Sequence, residues 1–180
     1  MCSFSSNKVD PSVCERCAEK NKTCCHADPQ NVEFCFPLAD SEWEKIKVAA
    51  PDVDGANVLP NTPEFIKTLK RLFPHDINKI DTQFPANETH RVLQSNEKGY
   101  CVYLTEQGCQ LPREARPWFC LVYPFWVRGK ELTMFTAQGC LVCRETDTVE
   151  ESLELLGMDE SRVREIFSSL RSAWGFDKGE

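Results

Sequence analysis

The sequence contains no hydrophobic run near the roughly 18 residues that a membrane-spanning helix requires. Its first ten residues, MCSFSSNKVD, lack both the basic region and the apolar region of a signal peptide. No apolar segment precedes Cys2, which argues against a lipoprotein anchor. We therefore expect a protein without a membrane partner that resides in the cytoplasm.

Motifs of several enzyme and nucleic-acid-binding classes are also missing. The sequence shows no catalytic triad, no H-E-x-x-H, no P-loop and no G-x-G-x-x-G. Its net charge is −7, and Lys and Arg are scattered instead of forming a stripe. Because neutralised phosphates supply non-specific affinity for nucleic acid, this distribution argues against a nucleic-acid partner. The sequence thus favours a protein without catalytic activity but leaves an enzyme open.

Cysteine is the residue that the sequence has in abundance. Eleven of 180 residues are cysteine, about 6%, just under the roughly 8–10% that is typical of disulfide scaffolds. In a reducing cytosol, cysteines at this density more often bind metal or take part in redox chemistry than form structural disulfides. The length fits a single domain, 1–180, of ordinary composition with 41% hydrophobic and 27% charged residues.

The pattern of hydrophobic and turn-forming residues predicts a small α+β domain. Stretches 1–30 and 51–61 have the composition of loops. Short strands are predicted at 32–38, in RVLQS, in GYCVYLT and at 129–135, with EQG as a hairpin connection. About four helices are predicted, at 41–50, 62–73, 148–156 and 160–174.

Local capping patterns support the helix boundaries. Ser41 and Glu44 have the spacing of a capping box, and Thr62 precedes Pro63, which suits the first helical position. The helices are well specified, whereas the stretch before residue 40 and the stretch 100–145 are irregular and contain every cysteine. We therefore expect a metal-binding core of about 10–143 and a C-terminal helical appendage of about 147–175.

The densest group of cysteines is CERCAEKNKTCC, residues 14–25. Cys14 and Cys17 form a C-x2-C pair, whose spacing lets two thiolates point from a tight turn toward one metal ion. Cys24 and Cys25 are adjacent, so their side chains diverge. Either this pair serves two neighbouring sites, or one of the two is structural. The polar neighbours do not explain these cysteines by packing, which favours metal ligation over disulfides.

Distant cysteines complete the set of candidates. Cys101 and Cys109 flank the predicted hairpin. Pro117 suits a helix start, which would place Cys120 in a first turn, where free N–H groups stabilise a thiolate. Cys140 begins a second C-x2-C. Taken singly, Cys101, Cys109 and Cys120 also fit a place in the core.

Other residues near these cysteines have open roles. Arg113 and Arg116 would offset part of the negative charge that four thiolates leave around a divalent ion. Cys143 is equally consistent with a ligand and with a core residue. Cys35 fits a small core residue, and His26 fits a polar surface residue better than a ligand.

The order of these motifs resembles a known family. CERCAEKNKTCC, SEWEKI, GYCVYL, GC, RPWFCLVYPF and a second GC follow the pattern of the YkgJ-type cysteine-cluster family, which is described as a zinc- or iron-chelating domain. The chain is also similar to the cysteine-rich part of flagellin lysine N-methylase, which hints at an iron–sulfur cluster and protein modification. Cys35 and Cys143 look additional to the family pattern. The resemblance implies these metal ligands: Cys14, Cys17, Cys24, Cys25, Cys101, Cys109, Cys120 and Cys140.

Thiolate ligands suit Zn²⁺ or an iron–sulfur cluster, and the spacing does not decide between them. Eight cysteines would suffice for two four-sulfur sites, or for one cluster with a structural ion. The leading hypothesis is a metal-binding protein whose metal ion is its partner, with any protein partner unidentified. The alternatives are a cluster-dependent enzyme that modifies proteins or peptides, and a thiol–disulfide redox protein.

Overall fold

The computed structural model describes residue 10 and residues 13–20, 24–26, 36–137 and 139–176. These residues form eight α-helices and three small antiparallel strand pairs, the α+β class that the sequence predicted. None of the helices in these ranges is long and apolar enough to span a membrane. The helices are α1 Val13–Glu19, α2 Asp40–Ala49, α3 Pro63–Leu72, α4 Ile77–Gln83, α5 Trp118–Val122, α6 Leu141–Glu145, α7 Val149–Leu155 and α8 Glu160–Ala173.

The strands form two-stranded antiparallel pairs and no larger sheet within the described residues. The hairpin predicted around EQG is confirmed, because Thr105 pairs with Gly108 across a two-residue connection. Gly108 has φ of +99°, a backbone conformation that favours glycine. The pairs are β1 Ala56–Pro60 with β2 Thr89–Leu93, β3 Leu104–Thr105 with β4 Gly108–Cys109, and β5 Phe125–Arg128 with β6 Glu131–Met134.

Local capping explains where two of the predicted helices begin. The Thr62 hydroxyl accepts the N–H of Phe65 at 3.2 Å, with Pro63 at the first position of α3. The Thr148 hydroxyl accepts the N–H of Glu151 at 3.1 Å at the start of α7. These starts are confirmed because each depends on residues within one helical turn.

The capping box predicted at Ser41 and Glu44 is wrong. Helix α2 begins at Asp40, with Ala39 as its N-cap residue. The carboxylate that accepts the N–H of Ala39, at 2.8 Å, belongs to Glu42. Glu42 is only 4% exposed, so tertiary burial, and not the Ser-x-x-Glu spacing, sets this helix start.

Two loop predictions are also wrong. The stretch 51–61 contains β1, which pairs with β2 about thirty residues later in a register from Ala56–Leu93 to Pro60–Thr89. The Pro, Asp, Gly and Asn residues of this stretch are typical of a loop. Its strand forms nevertheless, because β2, a distant segment, supplies the backbone hydrogen bonds. Helix α1 lies within the predicted loop 1–30.

One predicted strand, in GYCVYLT, is shorter than expected, and another, 32–38, lies partly outside the described residues. In GYCVYLT only Leu104–Thr105 belongs to a strand pair, because a turn in which the N–H of Leu104 donates to the carbonyl of Cys101 interrupts it. Residues 36–38 are not part of a strand, and the rest of the predicted strand 32–38 lies outside the described residues.

One large hydrophobic cluster, the main cluster, is formed by α3, α4, α5, β5 and α8. The buried face of α8 lies within it and includes Val163 and Leu170, and Trp174 directly after the helix is also buried there. Two small clusters lie apart from it. We call them the α1–α6 cluster, with Val13, Cys17, Cys140, Leu141 and Val142, and the α2–hairpin cluster, with Leu38, Ile46, Tyr103 and Leu111.

Candidate functional site

A small cavity of about 100 Å³ lies between the two small clusters. Members of both clusters line it, including Val13 and Leu141 on one side and Tyr103 and Leu111 on the other. Its walls are mainly apolar, apart from one cation, Arg116, among the described lining residues. The lining also contains all the cysteines named as ligand candidates: Cys14, Cys17, Cys24, Cys25, Cys101, Cys109, Cys120 and Cys140.

Helix α1 brings the first C-x2-C pair to the cavity. Cys14 and Cys17 are three residues apart, so both lie on one face of the helix. Arg16 connects this helix to α6 through an ion pair of 2.8 Å with Glu145, and it also binds Asp10 at 2.6 Å. The helix is therefore attached to the segment that carries the second C-x2-C pair.

The segment that contains the adjacent Cys24 and Cys25 lies beside the residues that lead into the β3–β4 hairpin. The carbonyl of Cys25 accepts the N–H of Cys101 at 2.7 Å, and His26 forms an antiparallel bridge with Tyr100. The His26 ring is exposed, and its Nε2 lies 3.1 Å from the carbonyl of Lys98. This bridge brings Cys25 and Cys101, far apart in sequence, side by side.

The hairpin and the residues after it position Cys109 and a cation. Strand pairing of Leu104 with Cys109 fixes the cysteine at the end of β4. Arg116 then donates from Nε to the carbonyl of Leu111 at 2.9 Å and from Nη2 to the carbonyl of Cys109 at 3.3 Å. These bonds hold the guanidinium beside the cavity, where the sequence predicted a cation.

Cys120 is held by the start of α5. The helix follows Pro117, as predicted, and Cys120 is its third residue. The buried carboxylate of Glu42 accepts the N–H of Trp118 at 2.7 Å, which connects this helix start to α2. Cys120 lines the cavity, where neighbouring protein atoms surround its thiol.

The second C-x2-C pair has one cysteine inside the cavity and one outside. Cys140 is the N-cap residue of α6 and lines the cavity. Cys143 is not among the described lining residues, and its thiol donates to the carbonyl of Phe135 at 3.1 Å. Cys143 also lies close enough to Cys140 to raise the pKa of the Cys140 thiol. Cys143 is half-buried and packs against the α1–α6 cluster.

The cavity disfavours thiolates that have no compensating charge. Burial raises the pKa of Cys101 and of Cys140 to about 12. Burial, with the neighbouring Cys25, also raises the pKa of Cys120 well above its usual value. Arg116 acts in the opposite direction on the pKa of Cys14, which burial raises. Several thiolates together in this space therefore require a positive partner.

The cavity lining also includes two tyrosines, which the sequence did not predict as part of the site. Tyr103 is fully buried, and its hydroxyl has no hydrogen-bond partner in the described part of the chain. Burial raises the pKa of Tyr123, with further contributions from nearby thiols that include Cys140 and Cys24. Tyr123 lies three residues after Cys120, a helical spacing that would have identified it.

The thiols face a common space without forming a ligand set. Within residues 10, 13–20, 24–26, 36–137 and 139–176, no group of three or more His, Cys, Asp or Glu side chains is arranged to hold a metal ion. Binding would require the sulfur atoms to move toward one another. The donor chemistry nevertheless fits a thiophilic metal, because no carboxylate lines the cavity among these residues. Cys2 and Cys35 lie outside the described residues.

No protein-family model, no curated protein and no solved structure matches this chain. The resemblance to the YkgJ-type cysteine-cluster family therefore stays a prediction from its motifs.

Proposed function

We propose that this protein binds metal, as Zn²⁺ or as an iron–sulfur cluster, through the cysteines that line the cavity. The observation that carries the proposal is that eight thiols from separate segments face one small space. Sulfur ligands suit zinc and iron–sulfur clusters, whereas Mg²⁺ and Ca²⁺ take oxygen ligands. When bound, zinc would supply a structural cross-link, and an iron–sulfur cluster would supply an electron-transfer centre.

The size and charge of the cavity support a small inorganic occupant. Its volume is about 100 Å³. Pockets for drug-sized organic ligands usually measure roughly 300–1,000 Å³. Four thiolates around a divalent ion leave a charge of about −2, and the guanidinium of Arg116 is fixed nearby to offset part of it.

The proposed location is the cytoplasm, because thiol ligands persist in a reducing compartment. No disulfide joins two of the nine cysteines in the described part of the chain, which is compatible with this location.

The test is metal analysis and visible absorption of protein purified without oxygen. We expect zinc or iron in the wild-type protein, with a brown colour if iron–sulfur clusters are present. Removal of the metal with a chelator should lower the melting temperature, because metal binding supplies on the order of 10 kcal/mol of folding free energy in zinc modules. Protein that contains neither metal, and whose melting temperature the chelator does not change, would refute the proposal.

Matched variants connect the metal to the cavity. Cys109→Ser removes a thiol that lines the cavity, whereas Cys143→Ser removes one outside the described lining. We expect the first variant to lose metal and the second to retain the wild-type content. Equal metal content in both variants would contradict the assignment of the cavity as the binding site.

The proximity of Cys140 and Cys143, through which Cys143 raises the pKa of the Cys140 thiol, favours a second candidate function, thiol–disulfide chemistry. In that case the native protein would contain a disulfide between these two cysteines. Mass-spectrometric counting of free thiols, before and after metal removal, separates the two candidates. Metal binding predicts thiols that become reactive when metal leaves, and disulfide chemistry predicts two that stay oxidised.

A further inference from the structure

A groove of about 1010 Å³ lies between the connection of α3 to α4, the β5–β6 hairpin and α8. It shares no lining residue with the thiol cavity in the described part of the chain. Five of its described lining residues are Lys or Arg and two are Asp or Glu, a net charge of +3 on a chain whose net charge is −7. The fold thus gathers cations that are scattered along the sequence. We call this feature the basic groove, and its cations are Lys79, Arg128, Lys130, Arg164 and Arg171.

Both carboxylates of the basic groove are already engaged in ion pairs. Asp76 pairs with Arg171 at 2.6 Å and with Lys79 at 3.4 Å. Glu165 pairs with Arg162, which is not among the described lining residues. Neither carboxylate therefore pairs with the cations of the β5–β6 hairpin.

The hairpin presents two cations at the edge of the groove. The side chains of Arg128 and Lys130 are exposed and form no ion pair with another described residue. Glu131 lies opposite Arg128 in the strand pair but is not part of the described lining. Arg164 of α8 donates from Nη2 to the carbonyl of Lys130 at 2.6 Å, and it also pairs with Glu160. The hairpin is therefore attached to α8, which fixes its cations at the groove.

Apolar side chains line the groove between these charges. Phe73 and Phe167 are buried in the main cluster, whereas Leu72 and Val127 are half-buried and leave part of their surface exposed. The guanidinium of Arg171 lies 5.8 Å from the centroid of the Phe73 ring. A ligand that carries both carboxylates and an apolar side chain would match this lining.

We propose that the basic groove binds a short acidic segment of a partner protein, in which carboxylates flank an apolar side chain. With the +3 of the groove set apart from the total of −7, the rest of the chain has a net charge of −10. That charge repels a long polyanion such as nucleic acid where it leaves the groove. A short segment stays within the local field, because exposed charges are screened beyond roughly 8–10 Å.

The size of the groove also favours a peptide over a small anion. Its volume is at the upper end of the roughly 300–1,000 Å³ that is usual for small-molecule pockets. Ion pairs hold two of its guanidinium groups in place before a ligand arrives, which lowers the entropic cost of binding. The proposal is independent of whether the thiol cavity binds metal.

The test measures the fluorescence anisotropy of a short labelled peptide, in which glutamates flank one leucine, as purified wild-type protein is added. Arg128→Glu combined with Lys130→Glu should weaken binding by about tenfold or more, because each substitution replaces an attraction with a repulsion. The control combines Lys67→Glu with Arg144→Glu, which changes the net charge equally at exposed residues outside the described lining. The control should weaken binding by less than about twofold. All four side chains are exposed, so both double variants should keep the wild-type melting temperature.

Changes in the peptide test the same groove with the wild-type protein alone. Replacement of every glutamate by glutamine should abolish binding, and a higher salt concentration should weaken it. Replacement of the leucine by glycine should weaken binding by about fivefold, because the apolar contact is lost.

Four results would overturn the proposal. The first is a glutamate peptide that does not bind, and the second is an equal loss in the two double variants. The third is unchanged affinity of the glycine peptide, which would assign the groove to a bare anion. The fourth is another occupant: single-stranded DNA that binds more tightly than the peptide, or a wild-type dimer that the groove variant separates.

Discussion

His90 on β2 should make the protein sensitive to acid independently of any thiolate site. Its ring is 7% exposed and stacks on Phe65, with ring centroids 3.8 Å apart. Its Nδ1 donates to the Asn61 side-chain oxygen at 2.7 Å, because the Asn61 amide group donates to the carbonyl of Pro85. Its Nε2 is buried without a partner in the described part of the chain. A proton on Nε2 would be an unpaired buried charge, and burial lowers the pKa of His90 to about 4.

The sign and size of the effect follow from this pKa. The same histidine in the unfolded chain binds a proton near pH 6.5. Between pH 6.5 and pH 4 the unfolded state therefore binds more protons than the folded state, and the free energy of unfolding falls as the pH falls. From pH 7.5 to pH 4.5 the full shift costs about 2.5 kcal/mol. We expect about 2 kcal/mol, because some contact of the ring with water weakens the effect.

The assay is urea denaturation of the wild type and His90→Gln across this pH range. The difference in free energy of unfolding, wild type minus variant, should shrink by about 2 kcal/mol between pH 7.5 and pH 4.5. Loss of metal in acid affects both proteins and cancels in the difference. His75→Gln, at an exposed histidine, is the control, and its difference from wild type should not change. A constant difference for His90→Gln would refute the reasoning.

Two further predictions concern packing and a buried ion pair. Gly55→Ala places a Cβ where the Tyr103 hydroxyl lies. We expect the free energy of unfolding, measured with denaturant, to fall by about 2 kcal/mol or more. A fall below about 0.5 kcal/mol would show that Tyr103 can move away. The side chains of Asp76 and Arg171 form an ion pair of 2.6 Å and are only 4% and 14% exposed. Asp76→Asn removes the negative charge of this buried pair and should lower the free energy of unfolding by about 3 kcal/mol. The control Asp81→Asn breaks an exposed pair and should cost less than about 1 kcal/mol, and equal losses in the two variants would contradict the role of burial.

Features of the fold that depend on nearby residues could be predicted from the sequence. The cap at Thr62, the helix start at Pro117 and the turn before Gly108 each involve residues within one turn. The start of α2 could not, because Glu42 is fixed by the N–H of Trp118 from a distant segment. Strand β1 was missed for the same reason, since its hydrogen-bond partners lie on β2.

The candidate site shows the same limit. The sequence identified the eight cysteines and Arg116 that line the cavity. It left open whether Cys24 and Cys25 serve two sites, because spacing shows only that adjacent side chains diverge. The bridge between His26 and Tyr100 places Cys25 beside Cys101, and no local pattern shows that contact. The roles of Tyr103 and Tyr123 in the lining also depend on tertiary packing.

The positions of the lining residues along the chain restrict when the cavity can form during protein synthesis. Helix α1 leaves the ribosome early, whereas Cys140 and Leu141, on the same side of the cavity, emerge late. Domains tend to fold as units, so a partly made chain exposes Cys14 and Cys17 before the opposing wall exists. The cavity can therefore form only after most of the chain has been translated, and premature termination before residue 140 would produce a fragment in which Cys14 and Cys17 lack the rest of the cavity wall.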